Sequence, residues 1–388
     1  MRLYFDYAAT TPLEPAVFAV MQPYFVEHFA NPASLHRGGQ KVRAAVEHAR
    51  EQVAAAVNVS AREIVFTSGA TEADNHALRA VAAAHPGGHM ITSSIEHKAV
   101  LETAKQLERS GMQVTYLEPT PAGDITPEML RAALRDDTCL VALMLVNNET
   151  GVITDIAAMS ELAHSAGAVM FTDAVQAFGS MPVDAHALGV DMLALSGHKL
   201  YGPKGVGVLV TRDDELTPLL FGGEQERGLR AGTLNVPAIV GMGAAAEMAQ
   251  QRVADDAAHI ALLRDKLREG LLELPGVHLN TEGVPISPKH LSIRVDDVDG
   301  EALLLGLDAE GIDASAGSAC AAGTFEPSHV LTSMGLTREQ AKASVRLSLG
   351  RGVTQDMIAP TVERFAKVIN RCRTLADMPS PAHLLERA

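Results

Sequence analysis

Short β-branched and aliphatic runs recur along the first half of the chain, at residues 64–67, 90–93, 114–117, 140–146, 169–172, 192–195 and 206–210. The run at 192–195, Met-Leu-Ala-Leu, is apolar at every position, as fits a strand buried on both faces. Amphipathic stretches of helical length separate most of these runs, among them 71–84, 98–110, 127–135 and 156–166. Strand alternating with helix predicts an α/β unit built on a mainly parallel, doubly covered sheet of about seven strands. Only residues 196–205 join the last two runs, too few for a helical crossover, so one of that pair is expected to run antiparallel.

After residue 210 the rhythm changes. Residues 221–235 form a long loop rich in Gly and Arg, and a loop of that length in a compact domain is usually functional. A long helical region is expected over 237–274. Beyond it, strands at 290–295 and 344–349 and helices at 301–310 and 354–373 predict a second, smaller α+β domain. The boundary is placed within the long helix, giving a large domain over 12–255 and a small one over 256–388. Residues 1–11 are too short and aromatic to stand alone; they are expected to pack against one of the two and are grouped here with the small domain.

Composition narrows the function. The 388 residues carry 47 acidic against 32 basic side chains, a net charge of −15, which argues against general affinity for nucleic acid or an anionic membrane. Any anion must therefore be held locally. The opening Met1-Arg-Leu-Tyr-Phe-Asp-Tyr lacks a signal-peptide core. The longest weakly polar run, 236–246, falls short of the roughly 18 residues of a spanning helix. A cytoplasmic protein without a membrane segment is expected. Cysteines at 139, 320 and 372 fit neither a disulfide framework nor a zinc motif and read as free thiols.

Candidate chemistry collects where strands end, since ligands of open α/β sheets bind beyond the carboxyl ends of the strands. Ser196, Gly197, His198 and Lys199 follow one strand; Lys199 is either a solvated loop lysine or a Schiff-base lysine for pyridoxal phosphate. Asp173 ends another strand, with Gln176 three residues on. It is either a helix cap or the carboxylate that keeps a pyridine nitrogen protonated. Thr67-Ser-Gly-Ala70-Thr71-Glu72 joins a strand to a helix, as ordinary capping or as an anion cup. Glu96-His97-Lys98 places a histidine where it could stack on a flat ring and move protons. The pair Asn147-Asn148 reads equally well as turn chemistry. Arg346 interrupts an apolar strand, either pairing with a core acid or clamping a substrate carboxylate. Cys320 lies amid small residues, 314–324, on an expected exposed loop, whereas Cys139 and Cys372 read as packing residues.

Taken together these stretches resemble the cysteine desulfurases of the NifS/IscS group, in the aminotransferase class V family. The resemblance rests on Asn31-Pro-Ala-Ser34, Phe66-Thr-Ser-Gly-Ala-Thr-Glu72, Glu96-His-Lys-Ala-Val100, Val146-Asn-Asn-Glu149, Ser196-Gly-His-Lys-Leu-Tyr-Gly-Pro-Lys-Gly205, Arg230-Ala-Gly-Thr233 and Gly317-Ser-Ala-Cys320. It runs from Tyr4 to about Arg351. It implies an aminotransferase-like fold of the pyridoxal-phosphate transferases. Lys199 would be the Schiff-base lysine, Asp173 the partner of the pyridine nitrogen and Gln176 a ligand of the ring hydroxyl. His97 would stack on the ring, and Ala70, Thr71, Ser196 and His198 would hold the phosphate. Thr233 would reach the phosphate of the other subunit in a homodimer. Asn148 and Arg346 would bind the substrate carboxylate, Asn148 also lying near the cofactor.

The implied reaction removes sulfur from L-cysteine, leaving L-alanine and a persulfide on Cys320 for an iron–sulfur scaffold or a sulfur-carrier protein. No metal is expected in that reaction beyond a transient contact of Cys320 with a cluster iron. Selenocysteine lyase or a small-substrate aminotransferase of the same fold is the enzymatic alternative, and Cys320 argues against the transaminase. A non-catalytic cluster-assembly scaffold is the other, against which stand Lys199, Asp173 and Cys320. The tail 379–388 departs from the family's scaffold-docking terminus.

Overall fold

The computed structural model describes residues 2–316 and 326–376. Cys320 and the tail 379–388 lie outside the described residues. The chain opens with a two-residue strand, β1 (Leu3–Tyr4). The main sheet then takes β2 (Ile64–Thr67), β3 (His89–Ser93), β4 (Gln113–Leu117), β5 (Thr138–Ala142), β6 (Val169–Asp173), β7 (Met192–Ser196) and β8 (Gly207–Thr211). Their spatial order is β2-β8-β7-β6-β5-β3-β4. All seven expected runs are there, and β8 is the antiparallel member, pairing with both β2 and β7.

Both faces of the inner strands are covered, which is why β7 and β8 carry no polar alternation, whereas the edge strand β4 is part-exposed. Leu193 and Leu195 of β7 join one buried cluster and Met192 and Ala194 the other. One run is shorter than its apolar pattern: after Ala142 the chain leaves regular pairing, and Val146 bridges back to Ile153 instead. Leu143 and Leu145 still donate to the Phe171 and Asp173 carbonyls of β6, and the chain turns only at 148–150. Absent from the pattern-based expectations is the helix Arg37–Ala56, whose Val42, Val46, Ala49 and Val53 pack inward. It lies against the helix Val236–Leu272, where a Cβ on Gly243 would meet the Ala49 Cα at 2.6 Å.

That helix of 37 residues spans about 55 Å. Its first part, up to Ala249, packs in the core of the main sheet. Ile260, Leu263, Leu267 and Leu271 pack in a second core. The second core lies on the antiparallel sheet β12-β10-β9, made of β9 (Val277–Leu279), β10 (His290–Val295) and β12 (Ser344–Ser348). β1 pairs with β11 (Ile312–Asp313) beside it. Leu3, Phe5 and Tyr7 are buried in this second core, so the N-terminal segment is fastened there before it crosses to the main sheet.

The loop 221–235 is fastened by a buried ion pair. The Arg50 guanidinium donates to both Glu226 oxygens, at 2.7 and 2.8 Å, and the side chains are 5% and 1% exposed. Glu226 also accepts from the Phe66 amide of β2 at 2.8 Å, while Glu226 and Arg227 hold left-handed backbone angles, φ 46° and 59°. Such angles cost energy and persist only where surrounding contacts over-determine them. Glu226→Ala should leave Arg50 buried with only the exposed Glu47 as an acid partner and the Phe66 amide without its acceptor, and lower stability by about 3–5 kcal/mol in chemical denaturation; a loss under about 1 kcal/mol would contradict this account of the loop.

Candidate active site

Among the described candidates, Ser68, Ala70, Thr71, His97, Asn148, Asp173, Gln176, Ser196, His198 and Lys199 line one cavity of about 570 Å³ at the carboxyl edge of the main sheet, while Asn147 and Arg346 do not. Ser68, Ala70 and Thr71 line one end with Ser196, His198 and Lys204; Asp173, Gln176, His97 and Asn148 line the other. Lys199 is half-buried between them. The bland reading of Lys199 as a solvated lysine does not hold.

The cup at the first end follows from local backbone. Gly69 caps the helix Ala70–Ala84, and Gly207 of β8 sits so close that a Cβ there would meet the Gly69 Cα at 2.6 Å. Glu72 folds back to accept from the Ser68 amide at 2.9 Å and pairs with Arg230 at 2.8 Å. Burial raises its pKa, but Arg230 and Ser68 outweigh this and keep it below the ordinary range. The amides of Ala70 and Thr71 have no acceptor among the described residues, as expected at a helix start. The Ser196 hydroxyl and His198 lie beside them in the cavity lining, forming a small cup.

The lysine is held by the N-terminal segment. Lys199 Nζ donates to the carbonyls of Ala8 (2.5 Å) and Ala9 (2.7 Å), while Thr11 donates from its amide to the His198 carbonyl at 2.9 Å. Burial, reinforced by the positive charge of Arg346, pushes Lys199 down to about 8; Asp173 and Asp6 oppose the shift. Burial and Lys199 likewise push His198 down to about 4. Its Nδ1 lies 3.1 Å from the Thr10 hydroxyl.

At the other end Asp173 is buried and accepts from the Val175 amide at 2.9 Å. Burial raises its pKa, and His97 and Lys199 hold the rise back. His97 presents an exposed ring to the cavity mouth while its Nδ1 accepts from the Ala99 amide at 3.2 Å, capping the next helix. Surrounding protein lowers its basicity and Asp173 counters. Gln176 donates from Nε2 to the Ala8 carbonyl at 2.9 Å, leaving its buried Oε1 without a partner.

The asparagine pair divides. Asn147 is the turn residue, its Oδ1 accepting from the amides of Glu149 and Thr150 and its Nδ2 donating to the Ile95 carbonyl. Asn148 lines the cavity with its Oδ1 buried and unpartnered. Arg346 donates to the part-buried Asp6 at 2.7 Å and to the Asn148 carbonyl at 2.8 Å, and its Nε is left without a partner. It stands behind Asn148 and does not line the cavity. Thr233 is exposed in a separate groove with Asn31, Pro32 and Leu234, outside the cup of its own chain.

Five participants were not anticipated. The carbonyls of Ala8 and Ala9 carry no sequence signal. Asp74 borders the cavity, wholly buried, and its signal was an acid on the apolar face of a helix, four and seven residues before Leu78 and Val81. Glu96 is buried beneath, accepting from the Ser93 hydroxyl and the Met144 amide, and burial pushes it up to about 8. Lys289, also buried, is pushed down to about 7 by burial and by the charges of Lys199 and Arg346. Cys139 and Cys372 are buried, and burial raises both thiols.

The aminotransferase class-V family profile matches residues 3–359. The chain belongs to that family. Cysteine desulfurase IscS of Shewanella baltica (strain OS223) is 44% identical over 384 residues, covering 97% of this chain and 95% of that one. Among solved structures, a NifS-like protein superposes with a TM-score of 0.90 at 36% identity, over 96% of this chain and all of that one. A structure titled SspA in complex with cysteine gives 0.80 at 36% identity, over 90% of this chain and 99% of that one. No described helix is long and apolar enough to cross a membrane.

Because its charged form is disfavoured, Lys199 should present far more free amine at neutral pH than an ordinary lysine. Acylation of Lys199 in cofactor-free protein, followed by peptide mass spectrometry, should show a midpoint at about pH 8. Arg346→Met should move that midpoint upward, since it removes a repelling cation and frees Asp6 to attract the ammonium. A parent midpoint near that of an unperturbed lysine would contradict the burial argument.

Proposed function

We propose that this protein is a pyridoxal-phosphate-dependent cysteine desulfurase, acting on L-cysteine and passing its sulfur to Cys320. The observation that carries the reading is Lys199, a half-buried amine pushed down to about 8 that shares one cavity with a buried Asp173. The residues suit the cofactor. The free amides of Ala70 and Thr71 offer a phosphate site, and the unpartnered polar atoms of Gln176 and Asn148 face a cavity that otherwise leaves them unsatisfied.

When bound, pyridoxal phosphate supplies an electron sink for the pair released as a Cα–H bond of the amino acid breaks. The chain does the rest. Asp173 holds a proton at the pyridine nitrogen, Gln176 meets the ring hydroxyl, and the cup with Ser196 and His198 fixes the phosphate. Lys199 Nζ is the base that takes the α-proton, its lowered pKa leaving a usable fraction of free amine at neutral pH. His97 covers the ring and moves protons near the substrate sulfur. Asn148, held by Arg346 through its carbonyl, orients the substrate carboxylate, toward which Arg346 adds positive charge. The sum balances without an added oxidant: L-cysteine and the Cys320 thiol give L-alanine and a Cys320 persulfide, which an acceptor protein then takes.

Borohydride reduction of the loaded protein should fix a pyridoxyl adduct on Lys199. Recovery of the adduct on Lys204, the other lysine at the cavity, would sink the assignment. Cys320→Ser should keep the cofactor and lose alanine production to near background, whereas Cys139→Ser and Cys372→Ser should turn over close to the parent rate. Undiminished alanine from Cys320→Ser would favour a lyase that needs no protein thiol.

The active unit in this reading is a homodimer with shared sites. Phe25, Phe29, Leu35 and Phe221 are 59–84% exposed, a set of large apolar side chains that a partner surface would cover. Thr233 lies in a groove beside Asn31 and Pro32, free to meet the partner's phosphate cup. Mixing inactive Lys199→Ala with inactive Thr233→Ala should regenerate heterodimers with one intact site. Failure to recover activity, with mixed dimers present by native mass spectrometry, would place Thr233 within its own chain's site.

A further inference from the structure

Asp74 is the one wholly buried carboxylate at the cavity whose two oxygens both lack a protein partner among the described residues. It sits on the first turns of the helix Ala70–Ala84, just inside the anion cup. One oxygen of Asp74, a ring nitrogen of His97 and an oxygen of Asp173 lie within 4.8 Å of one another. Glu96 is buried nearby, ahead of the helix Lys98–Arg109, and Lys199 and His198 face the cluster from the end of β7.

Two dehydrated carboxylates this close do not both ionise without a cation between them. His97 is poorly basic here, and the Lys199 ammonium is engaged with Ala8 and Ala9. Asp173 has a backbone donor in the Val175 amide, which favours its charged form; Asp74 has none. The negative charge therefore settles on Asp173 and the proton on Asp74.

We propose that Asp74 is a positioning residue that stays protonated and gives its carboxyl hydrogen to Asp173, directly or through one water, holding that carboxylate charged and aimed into the cavity. This rests on the assignment of Asp173 to the pyridine nitrogen. Burial and the neighbouring acids Asp173 and Glu96 act in the same sense, raising Asp74 well above the ordinary carboxyl range. The proton makes a buried acid tolerable and gives Asp173 a second donor beside the Val175 amide.

The test uses cofactor-free and loaded protein. Infrared difference spectra of cofactor-free parent minus Asp74→Asn at neutral pH should show the carbonyl stretch of a protonated acid; a carboxylate band in its place would overturn the proposal. Histidine NMR on the same two proteins, with His97 assigned from His97→Gln, should give the same His97 midpoint, because Asn replaces a neutral group. A downward shift of about one unit in Asp74→Asn would mean that an anion had been lost, and would also overturn it. In the loaded state Asp74→Ala should bind pyridoxal phosphate about tenfold more weakly, one unit's worth of Asp173 ionisation, and Asp74→Asn should restore the affinity. Equal weakening in both variants would show that the donor role is wrong. Should the parent itself bind no pyridoxal phosphate, the functional reading fails, while the infrared and NMR results still decide where the proton resides.

Discussion

The hydrogen bonds from Lys199 to the carbonyls of Ala8 and Ala9 join parts of the molecule that fold around different cores. The lysine follows β7 of the main sheet. The carbonyls follow a segment whose Phe5 and Tyr7 are buried in the C-terminal core. Closing these bonds shields the amine, so the reactivity of one residue depends on two cores packing together. Gln176 hangs on the Ala8 carbonyl as well, and Asp6 on the same segment holds Arg346 against Asn148.

Charge is arranged along the cavity in a graded way inside an acidic protein. One end has helix-start amides, Ser196, His198 and Lys204, with the Glu72 carboxylate tied back to Arg230. The other gathers Asp173, Asp74 and Glu96 out of water, where only part of the formal charge can be expressed. Burial raises the acids and lowers Lys199, His198 and His97, so both sets move toward neutrality and proton movement between them becomes less costly. The same burial that makes these groups reactive makes each dependent on its few hydrogen bonds.

Different parts of the sequence were legible to different depths. The seven strands of the main sheet and the reversal of β8 follow from run length and from the short 196–205 connection. The helix Arg37–Ala56 had a readable stripe in Val42, Val46, Ala49 and Val53, yet its partner, the helix Val236–Leu272, lies far along the chain, so nothing local marks it as structural. Asn147 and Asn148 show the limit most clearly. Both are asparagines of one turn; one spends its amide on the turn and the other faces the cavity, and only the direction of the backbone after β5 separates them.

By itself the sequence determined which side chains stand at strand ends, because strand and helix periods are local properties of hydrophobic order, and an open α/β sheet then dictates the edge at which ligands bind. It also determined the family, through motifs spread along most of the chain. Tertiary structure alone decided that Arg346 is bound to Asp6, that Ala8 and Ala9 cap the lysine, and that Asp74 shares the floor with Asp173. These are contacts between residues up to 340 positions apart. They depend on how two cores dock, and docking sets burial, which in turn sets the charge each group can carry.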